Sequence, residues 1–289
     1  MYEEFYGFTE KPFTLQTDPS LLYMGKSHTA AFAMLEYGLL NQAGFSVITG
    51  EIGAGKTTLV ARLLDSLDED QTVGLLNNTH ENMGELLPWV LHSFGQDYLA
   101  ENQIVQYDQL RYFLNVEYDA GRHSILIIDE AQNLSIELLE QLRTLSNINF
   151  GARQILQIVL VGQPELRDKL RHPKLKQFVQ RVAVDYHVPV LSLEETVEYL
   201  EHRMLLAGRK EPLLTAKACH MMHFVSGGVP RILNVVCDTV LSYGFADQQL
   251  NIDEVYVRSV LKNRAEGGLL ALGCEPKVMR KRSQSQYDE

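Results

Sequence analysis

The sequence predicts an α/β domain built on a five-stranded parallel sheet, followed by a small all-helical domain. From Phe45 to about Val190, apolar runs alternate with amphipathic helical patterns, which is typical of a parallel sheet. From Ser192 onward only helical patterns remain. A length of 289 residues is enough for such a core domain and one accessory domain.

Five strand candidates have a near-continuous apolar character, as expected for parallel strands that are covered on both faces. They span Phe45–Thr49, Thr72–Asn77, Ser124–Asp129, Ile155–Val161 and Val182–His187. Helical patterns lie between them, at Leu59–Leu67, Met83–Phe94, Tyr107–Tyr118, Ile136–Ser146 and Lys174–Gln180. This alternation predicts a sheet domain over residues 45–190.

The helical domain is predicted to begin at a capping box, in which Ser192 caps the helix and Glu195 reaches back to it. The helical patterns that follow are separated by glycines and span Thr196–Ala207, Thr215–Val225, Val229–Tyr243 and Asp253–Arg264. Residues 265–289 are polar and contain the basic cluster Lys277–Arg282. They predict a flexible, solvated tail, with contact to nucleic acid, acidic lipid or a protein partner as the alternative.

The composition is that of an acidic globular protein in a reducing compartment. The formal net charge of −11 argues against broad, nonspecific adhesion to nucleic acid or anionic lipid. Three cysteines, odd in number and far apart, fit small core residues better than a disulfide framework. The sequence has neither an apolar run of roughly 18 to 20 residues nor a signal peptide, which predicts a cytoplasmic protein without a transmembrane segment.

The stretch from Gly50 to Thr57 fits the phosphate-binding motif G-x-x-x-x-G-K-[ST] without a mismatch. It consists of Gly50, Glu51, Ile52, Gly53, Ala54, Gly55, Lys56 and Thr57. It lies between a strand and a helix candidate, where loop N–H groups and the helix N-terminus can surround phosphates. Lys56 is expected to contact the phosphates, and the Thr57 hydroxyl to bind Mg²⁺. The motif therefore predicts binding of a nucleoside triphosphate.

A second nucleotide signal is the apolar run Ile125–Ile128, which ends in Asp129 and Glu130. Open α/β sheets bind ligands at the carboxyl ends of their strands. Asp129 is expected to hold Mg²⁺ through water, and Glu130 to orient and activate the attacking water. The alternative is a buried strand that ends in a helix-capping acid, but the preceding phosphate motif favours catalysis. The adjacent carboxylates, and the absence of an Asn-Lys-x-Asp tetrapeptide, favour ATP over GTP.

Three further polar residues leave two interpretations open. Gln163, at the end of the fourth strand candidate, could contact the γ-phosphate or the water, or could be a turn residue before a helix that starts at Pro164. Arg181 could project into the ATP of a neighbouring subunit, and Arg231 could reach ATP on its own subunit. An arginine at a helix end is more often simply solvated.

The order of these motifs, ending in Gly228-Val229-Pro230-Arg231, resembles that of the AAA+ ATPases. Over residues 1 to 264 the sequence is also similar to the ExeA/GspA-type secretion ATPases. The similar segments are Phe5–Phe8, Lys11–Phe13, Asp18–Pro19, Leu22–Tyr23, Tyr37–Leu39, Asp129–Leu134, Val161–Leu166 and Gly228–Arg231.

The resemblance implies a role for each candidate residue. Gly50 to Thr58 would be the Walker A motif, which adds Thr58 to the nucleotide-binding set, and Asp129 with Glu130 would be Walker B. Gln163 would take the first sensor position, where many relatives have asparagine. Arg181 would be a trans arginine finger and Arg231 the second sensor.

The resemblance also implies a domain organisation. Residues 1–44 would form an N-terminal segment near the nucleotide, with Tyr23 and His28 close to the adenine. Residues 45–190 would be the AAA+ core, and residues 191–264 the helical lid domain.

The function implied by the resemblance is that of an ATP- and Mg²⁺-dependent homo-oligomer, a ring or filament, that drives assembly or regulation of an envelope secretion machine. ExeA-type proteins continue into a membrane helix and a peptidoglycan-binding domain. This sequence ends after the lid and a short tail, so the expectation is a stand-alone relative of the kind encoded with pilus-biogenesis or exosortase and exopolysaccharide export systems. It would be cytoplasmic, or held at the inner membrane by a partner.

Two alternatives belong to other classes of function. The TnsC/TniB transposition regulators share this core and bind DNA as ATP-dependent filaments, although the net charge and the N-terminal segments argue against DNA as a partner. A scaffold that binds ATP without hydrolysing it is disfavoured by the intact Glu130.

Overall fold

The computed structural model describes residues 1–16, 21–77, 79, 84–99, 102–150 and 153–267. They form two compact units. The sheet unit comprises Lys26–Ile52 and Lys56–Pro189. The helical unit comprises the described residues of Met1–Gly25, of Gly53–Gly55 and of the chain from Val190 onward, and it includes the short first helix α1 (Tyr2–Tyr6).

A parallel five-stranded sheet forms the centre of the sheet unit, which confirms the predicted fold class. The strands described in this unit are β1 (Phe45–Gly50), β2 (Gln71–Leu76), β3 (His123–Ile128), β4 (Asn149–Phe150), β5 (Arg153–Gln154), β6 (Leu156–Gly162) and β7 (Val182–Val188). The order in the sheet is β2-β3-β6-β1-β7, and β4 and β5 form a separate antiparallel pair. The carboxyl ends of β3, β6 and β1 therefore lie side by side.

Helices cover both faces of this sheet. They are α2 (Lys26–Leu40), α3 (Lys56–Ser66), α4 (Leu86–Ser93), α5 (Gln103–Asp119), α6 (Ile136–Leu145), α7 (Pro164–Leu170) and α8 (Lys176–Val179). Along β3 the side chains alternate: Ile125 and Ile127 pack with α2 and α3, whereas Leu126 and Ile128 pack with the cluster that contains α4, α5 and α6. The sheet is thus buried on both sides, as the apolar strands predict.

Burial is continuous only in the central strands. Every residue of β1 and β6 is buried, but the edge strand β7 exposes Ala183 and Asp185. The expectation of near-continuous burial for all five strands was therefore wrong at the edges, where one flank of the strand has no neighbour.

The sheet unit also contains an ion pair between Glu117 and the partly exposed Arg122. The carboxylate of Glu117, at the end of α5, accepts hydrogen bonds from Arg122 Nε at 2.7 Å and Arg122 Nη2 at 2.6 Å. The hydroxyl of Thr72, at the start of β2, also donates to it. The Arg122 guanidinium, helped by Thr72, lowers the pKa of Glu117 to about 2.

Glu117→Gln should remove part of the acid sensitivity of this unit. A depressed pKa stabilises the fold above the unfolded value of about 4.3, and this contribution is lost as the pH falls toward 2. We expect the variant to be less stable than wild type at pH 7 and to lose less stability than wild type between pH 5 and 2.5. Urea unfolding at both pH values measures this, with Asp168→Asn as the control because the Asp168–Arg171 pair is exposed. Equal losses in wild type and Glu117→Gln would contradict the expectation.

The helical unit is built from α1 together with α9 (Leu193–Leu206), α10 (Ala216–Ser226), α11 (Pro230–Ala246) and α12 (Glu254–Gly267). At its start, Ser192 Oγ accepts the Glu195 N–H at 3.2 Å and Glu195 Oε2 accepts the Ser192 N–H at 3.1 Å, which is the predicted capping box.

The N-terminal segment is part of the helical unit's core. The side chain of Arg203, 6% exposed, donates from Nε to Pro12 O at 2.8 Å, and Asn234 Nδ2 donates to Thr14 O at 3.1 Å. The hydroxyl of Tyr6 donates to Gln249 O at 3.0 Å. Residues 1–44 were predicted as one segment, but the described residues of Met1–Gly25 belong to the helical unit and α2 packs on the sheet.

Candidate functional site

The phosphate-binding motif forms the connection between β1 and α3. Gly50 ends the strand, and a Cβ at this position would lie 2.8 Å from Val188 O, so no larger residue fits without a shift. Gly53 has φ +81° and Gly55 has φ +92°, a left-handed conformation that glycine adopts without strain. Helix α3 starts at Lys56, so the loop N–H groups and the helix N-terminus belong to one continuous turn, with Thr57 and Thr58 in its first turn.

Lys56 carries a buried positive charge. Its side chain is 6% exposed, and Nζ donates to Gly50 O at 2.8 Å and Glu51 O at 2.9 Å, two acceptors without formal charge. Burial lowers the pKa of Lys56, and the nearby carboxylates of Glu130 and Asp129 oppose that shift. A buried ammonium held by carbonyl groups of a phosphate-type loop is suited to bind an anion.

Thr57 and Asp129 lie in contact across the ends of β1 and β3. The Thr57 hydroxyl donates to Asp129 Oδ2 at 2.9 Å, and Asp129 Oδ1 accepts the Glu130 N–H at 2.8 Å. Asp129 is 5% exposed. An uncharged hydroxyl and a carboxylate at one point, beside a phosphate-type loop, are the oxygen donors that Mg²⁺ prefers, so these two residues fit the predicted ion.

Glu130 lies just beyond β3 in a left-handed backbone conformation, with φ +53°. This conformation is uncommon for a residue with a Cβ and indicates that the surrounding structure fixes the turn. The buried Thr79 contributes to this, because its Oγ1 donates to Glu130 O at 2.8 Å and its carbonyl accepts from Asn133 Nδ2 at 3.1 Å. Thr79 lies outside both sequence motifs, so the sequence alone did not indicate a role for it.

Two glutamine amides hold the Glu130 carboxylate. Gln132 Nε2 donates to Glu130 Oε2 at 2.6 Å, and Gln163 Nε2 donates to the same oxygen at 3.0 Å. Gln163 is also the residue that precedes α7, whose first residue is Pro164, as the turn interpretation predicts. A contact of Gln163 with the γ-phosphate or the water stays a prediction. Sequence reasoning gave no role to Gln132, although it lies in the segment that carries the family resemblance.

Arg181 lies at the opposite end of the sheet from the phosphate loop. It immediately precedes β7, and Val182 pairs with Phe45 whereas Val188 pairs with Gly50. The intervening strand is about 20 Å long, farther than one side chain reaches. The guanidinium Nη1 instead donates to Arg143 O at 3.1 Å and Ser146 Oγ at 2.8 Å, at the end of α6.

Arg231 belongs to the helical unit. It is the second residue of α11, and its N–H donates to Gly53 O at 3.3 Å, within the same unit. Tyr23 also lies in the helical unit, where its ring contacts Tyr199 and His202. His28 is buried in α2 of the sheet unit.

The structure adds two negative observations for the part of the chain it describes. In that part, no three His, Cys, Asp or Glu side chains are grouped so that they could ligate a metal ion. Nor does any described helix combine the length and the apolar character needed to cross a bilayer. Asp18, Pro19, Cys274 and the basic cluster Lys277–Arg282 fall outside the described residues.

The phosphate loop after β1, the Asp-Glu pair after β3 and the five-stranded parallel sheet together define a P-loop fold of the AAA type. In agreement, residues 40–170 match the model of a family described as AAA domain. The chain is also 38% identical, over 247 residues and 85% of its length, to general secretion pathway protein A of Aeromonas hydrophila. The chain therefore belongs to the AAA ATPases of the ExeA/GspA-like family, and it spans 45% of the length of that relative.

Solved structures support the same fold at low sequence identity. The Aeropyrum pernix ORC2 protein is 20% identical with a TM-score of 0.60, and the alignment covers 88% of this chain and 71% of that chain. Cdc6p of Pyrobaculum aerophilum is 15% identical with a TM-score of 0.61, covering 85% and 71%. A Walker-type ATPase of Pyrococcus abyssi is 16% identical with a TM-score of 0.60, covering 95% and 81%.

Proposed function

We propose that this chain binds and hydrolyses ATP with Mg²⁺. The observation that carries the proposal is the direct contact of Thr57 with Asp129 beside the buried Lys56, at the carboxyl edge of the sheet where β1 and β3 end on either side of β6. A buried ammonium, a hydroxyl and two carboxylates thus lie at one edge of the sheet, which supports the proposal. Phosphoryl transfer needs these groups, because its catalysis rests on positioning and charge stabilisation.

Each residue has a distinct part in the proposed reaction. Lys56 and the N–H groups of the loop bind the phosphates, and Thr57 and Asp129 hold Mg²⁺, which would neutralise charge on the phosphate oxygens. Glu130 orients the attacking water and accepts its proton. Gln163, through the amide that contacts Glu130, is placed to orient the water or the terminal phosphate.

We assign Arg181 to a neighbouring subunit's ATP rather than to its own. Its separation from the phosphate loop along β7 is too large for action within one subunit. Its hydrogen bonds go to a carbonyl and a hydroxyl, neither of which neutralises the guanidinium charge. A ring or filament of identical subunits would place this charge against the transferring phosphoryl group of the next protomer. Arg231, in the same proposal, senses nucleotide from the helical unit.

The relative named general secretion pathway protein A supports a proposal for the cellular role. We propose that the chain works at the cytoplasmic side of an envelope secretion or export machine, including pilus or polysaccharide export, and is held at the inner membrane through a partner. DNA is the competing partner, and the effect of added duplex DNA on ATP hydrolysis distinguishes a DNA-binding role from an export role.

The rate of ATP hydrolysis per subunit should rise steeply with protein concentration and should not change when duplex DNA is added. Arg181→Ala should lower the rate at high concentration by about 10³-fold while the subunit still binds ATP, because only the neighbour's charge is lost. Arg171→Ala is the matched control, since Arg171 is an exposed arginine that pairs only with the exposed Asp168 on α7 and its flank. Thermal unfolding of each variant verifies folding.

Two outcomes would count against this assignment. Full activity of wild type at high dilution, where it is monomeric, would refute the role of Arg181 across subunits. A rate, or an assembly state, that depends on DNA would favour the DNA-binding alternative over the export role.

A further inference from the structure

Glu130, Gln132 and Gln163 form a closed set of hydrogen bonds. Both amide nitrogens donate to Glu130 Oε2, Gln132 at 2.6 Å and Gln163 at 3.0 Å. In addition, Gln132 Oε1 accepts the backbone N–H of Gln163 at 3.0 Å. A single side chain, Gln132, therefore binds the catalytic candidate of one strand end and the backbone of the next strand end at the same time.

The position of Gln132 is fixed by its surroundings. Lys169 Nζ, from α7, donates to Gln132 O at 2.5 Å and to Leu134 O at 3.0 Å, which holds the short turn after β3. Gly162 ends β6 opposite this side chain, and a Cβ on Gly162 would lie 2.9 Å from Gln132 Oε1. The absence of a side chain at residue 162 thus allows the Gln132 amide to lie against the end of β6.

We propose that Gln132 is a positioning residue for the hydrolysis reaction. It sets the direction of the Glu130 carboxylate and, through the backbone of Gln163, keeps that second amide at the correct distance from it. The inference rests on the proposed ATP hydrolysis. Gln163 can then turn its amide toward the terminal phosphate while Gln132 still holds Glu130, so the carboxylate keeps its orientation when one of its two donors leaves.

Gln132→Met is the direct test, because methionine has similar length and volume but cannot form either hydrogen bond. We expect kcat to fall by about 10- to 100-fold, the cost typical of a misplaced catalytic group. The affinity for ATP, measured by calorimetry, should stay within about twofold, since the Gln132 side chain bonds to Glu130 and to the backbone of Gln163.

A double-mutant cycle distinguishes positioning from a general loss of structure. If Gln132 acts through Glu130, adding Gln132→Met to Glu130→Gln should lower the single-turnover rate no further. The matched control is Gln157→Met, which removes a buried amide bonded to Gly38 O and Leu39 O. Gln157 lies near the start of β6, at the end of the strand away from Gln163. Any effect of Gln157→Met should multiply with that of Glu130→Gln.

Three results decide the proposal. The positioning role would be overturned if Gln132→Met kept the kcat of wild type. It would also be overturned if Gln132→Met lowered the single-turnover rate of Glu130→Gln further, by the same factor as in wild type. A loss of ATP affinity equal to the loss of rate would also overturn it. Absence of turnover in wild-type protein would instead contradict the proposed function itself, so the two failures are separable.

Discussion

Lys56→Ala should abolish measurable binding of ATP. The ammonium is the only group of the phosphate motif that brings a full positive charge, and it lies buried with its hydrogen bonds on the loop carbonyls of Gly50 and Glu51. Without it, the phosphates would enter a site in which the carboxylates of Glu130 and Asp129 remain and no lysine charge offsets them. We expect the dissociation constant to rise by at least about 100-fold, which is about 3 kcal/mol.

Calorimetry of ATP binding, with and without Mg²⁺, measures this effect. Lys174→Ala is the matched control, because Lys174 is an exposed lysine 3.9 Å from Glu137. Far-UV circular dichroism and thermal unfolding establish that Lys56→Ala is folded. Tight ATP binding by the folded variant would refute the assignment of this loop to phosphate.

The sheet could be predicted closely from the sequence because its central strands are apolar on both faces and a phosphate motif fixes the start of one helix. The predicted and observed limits of β1 differ only at Gly50, and those of β6 by one residue at each end. Helix α2 was not predicted, and its sequence shows why. Exposed apolar residues such as Tyr37 and Leu40 on α2 blur the helical periodicity.

The parts of the site that escaped prediction depend on backbone geometry and on contacts distant in sequence. The turn after β3, in which Glu130 has a left-handed conformation, brings Gln132 back toward the strand end. A sequence pattern does not predict a positive φ at a residue other than glycine. Thr79 reaches Glu130 from another strand end, 51 residues away in sequence. In the helical unit, Arg203 binds Pro12 across 191 residues, which a local pattern cannot reveal.

The assignments that did follow from the sequence share a physical reason. Two of these residues, Lys56 and Thr57, lie in the first turn of the helix that follows β1. The other two, Asp129 and Glu130, lie at the carboxyl end of the buried strand β3. Parallel strands bring their carboxyl ends to one edge of the sheet. Correct assignment of the strands is therefore enough to predict that these side chains lie close together. Gln163 satisfies the same rule at the end of β6. Arg181 does not, since it precedes its strand, and its proposed role accordingly requires a second subunit.

Glu130→Gln should bind ATP at wild-type affinity and fail to hydrolyse it. The glutamine keeps the size of the side chain and an oxygen that can accept from Gln132 and Gln163, so the turn after β3 should persist. It lacks the carboxylate that accepts the proton of the attacking water. We expect the single-turnover rate to fall by about 10²- to 10⁴-fold, the range for loss of a general base.

The measurement is single-turnover hydrolysis of radiolabelled ATP, combined with filter retention of the unhydrolysed nucleotide after a chase. Glu137→Gln is the matched control, because Glu137 is an exposed carboxylate in the first turn of α6. The trapped complex should consist of ATP rather than ADP, and it should persist longer than the wild-type complex. Rapid turnover by Glu130→Gln would remove Glu130 from the role of the base and would direct attention to Asp129, the remaining carboxylate in contact with Thr57.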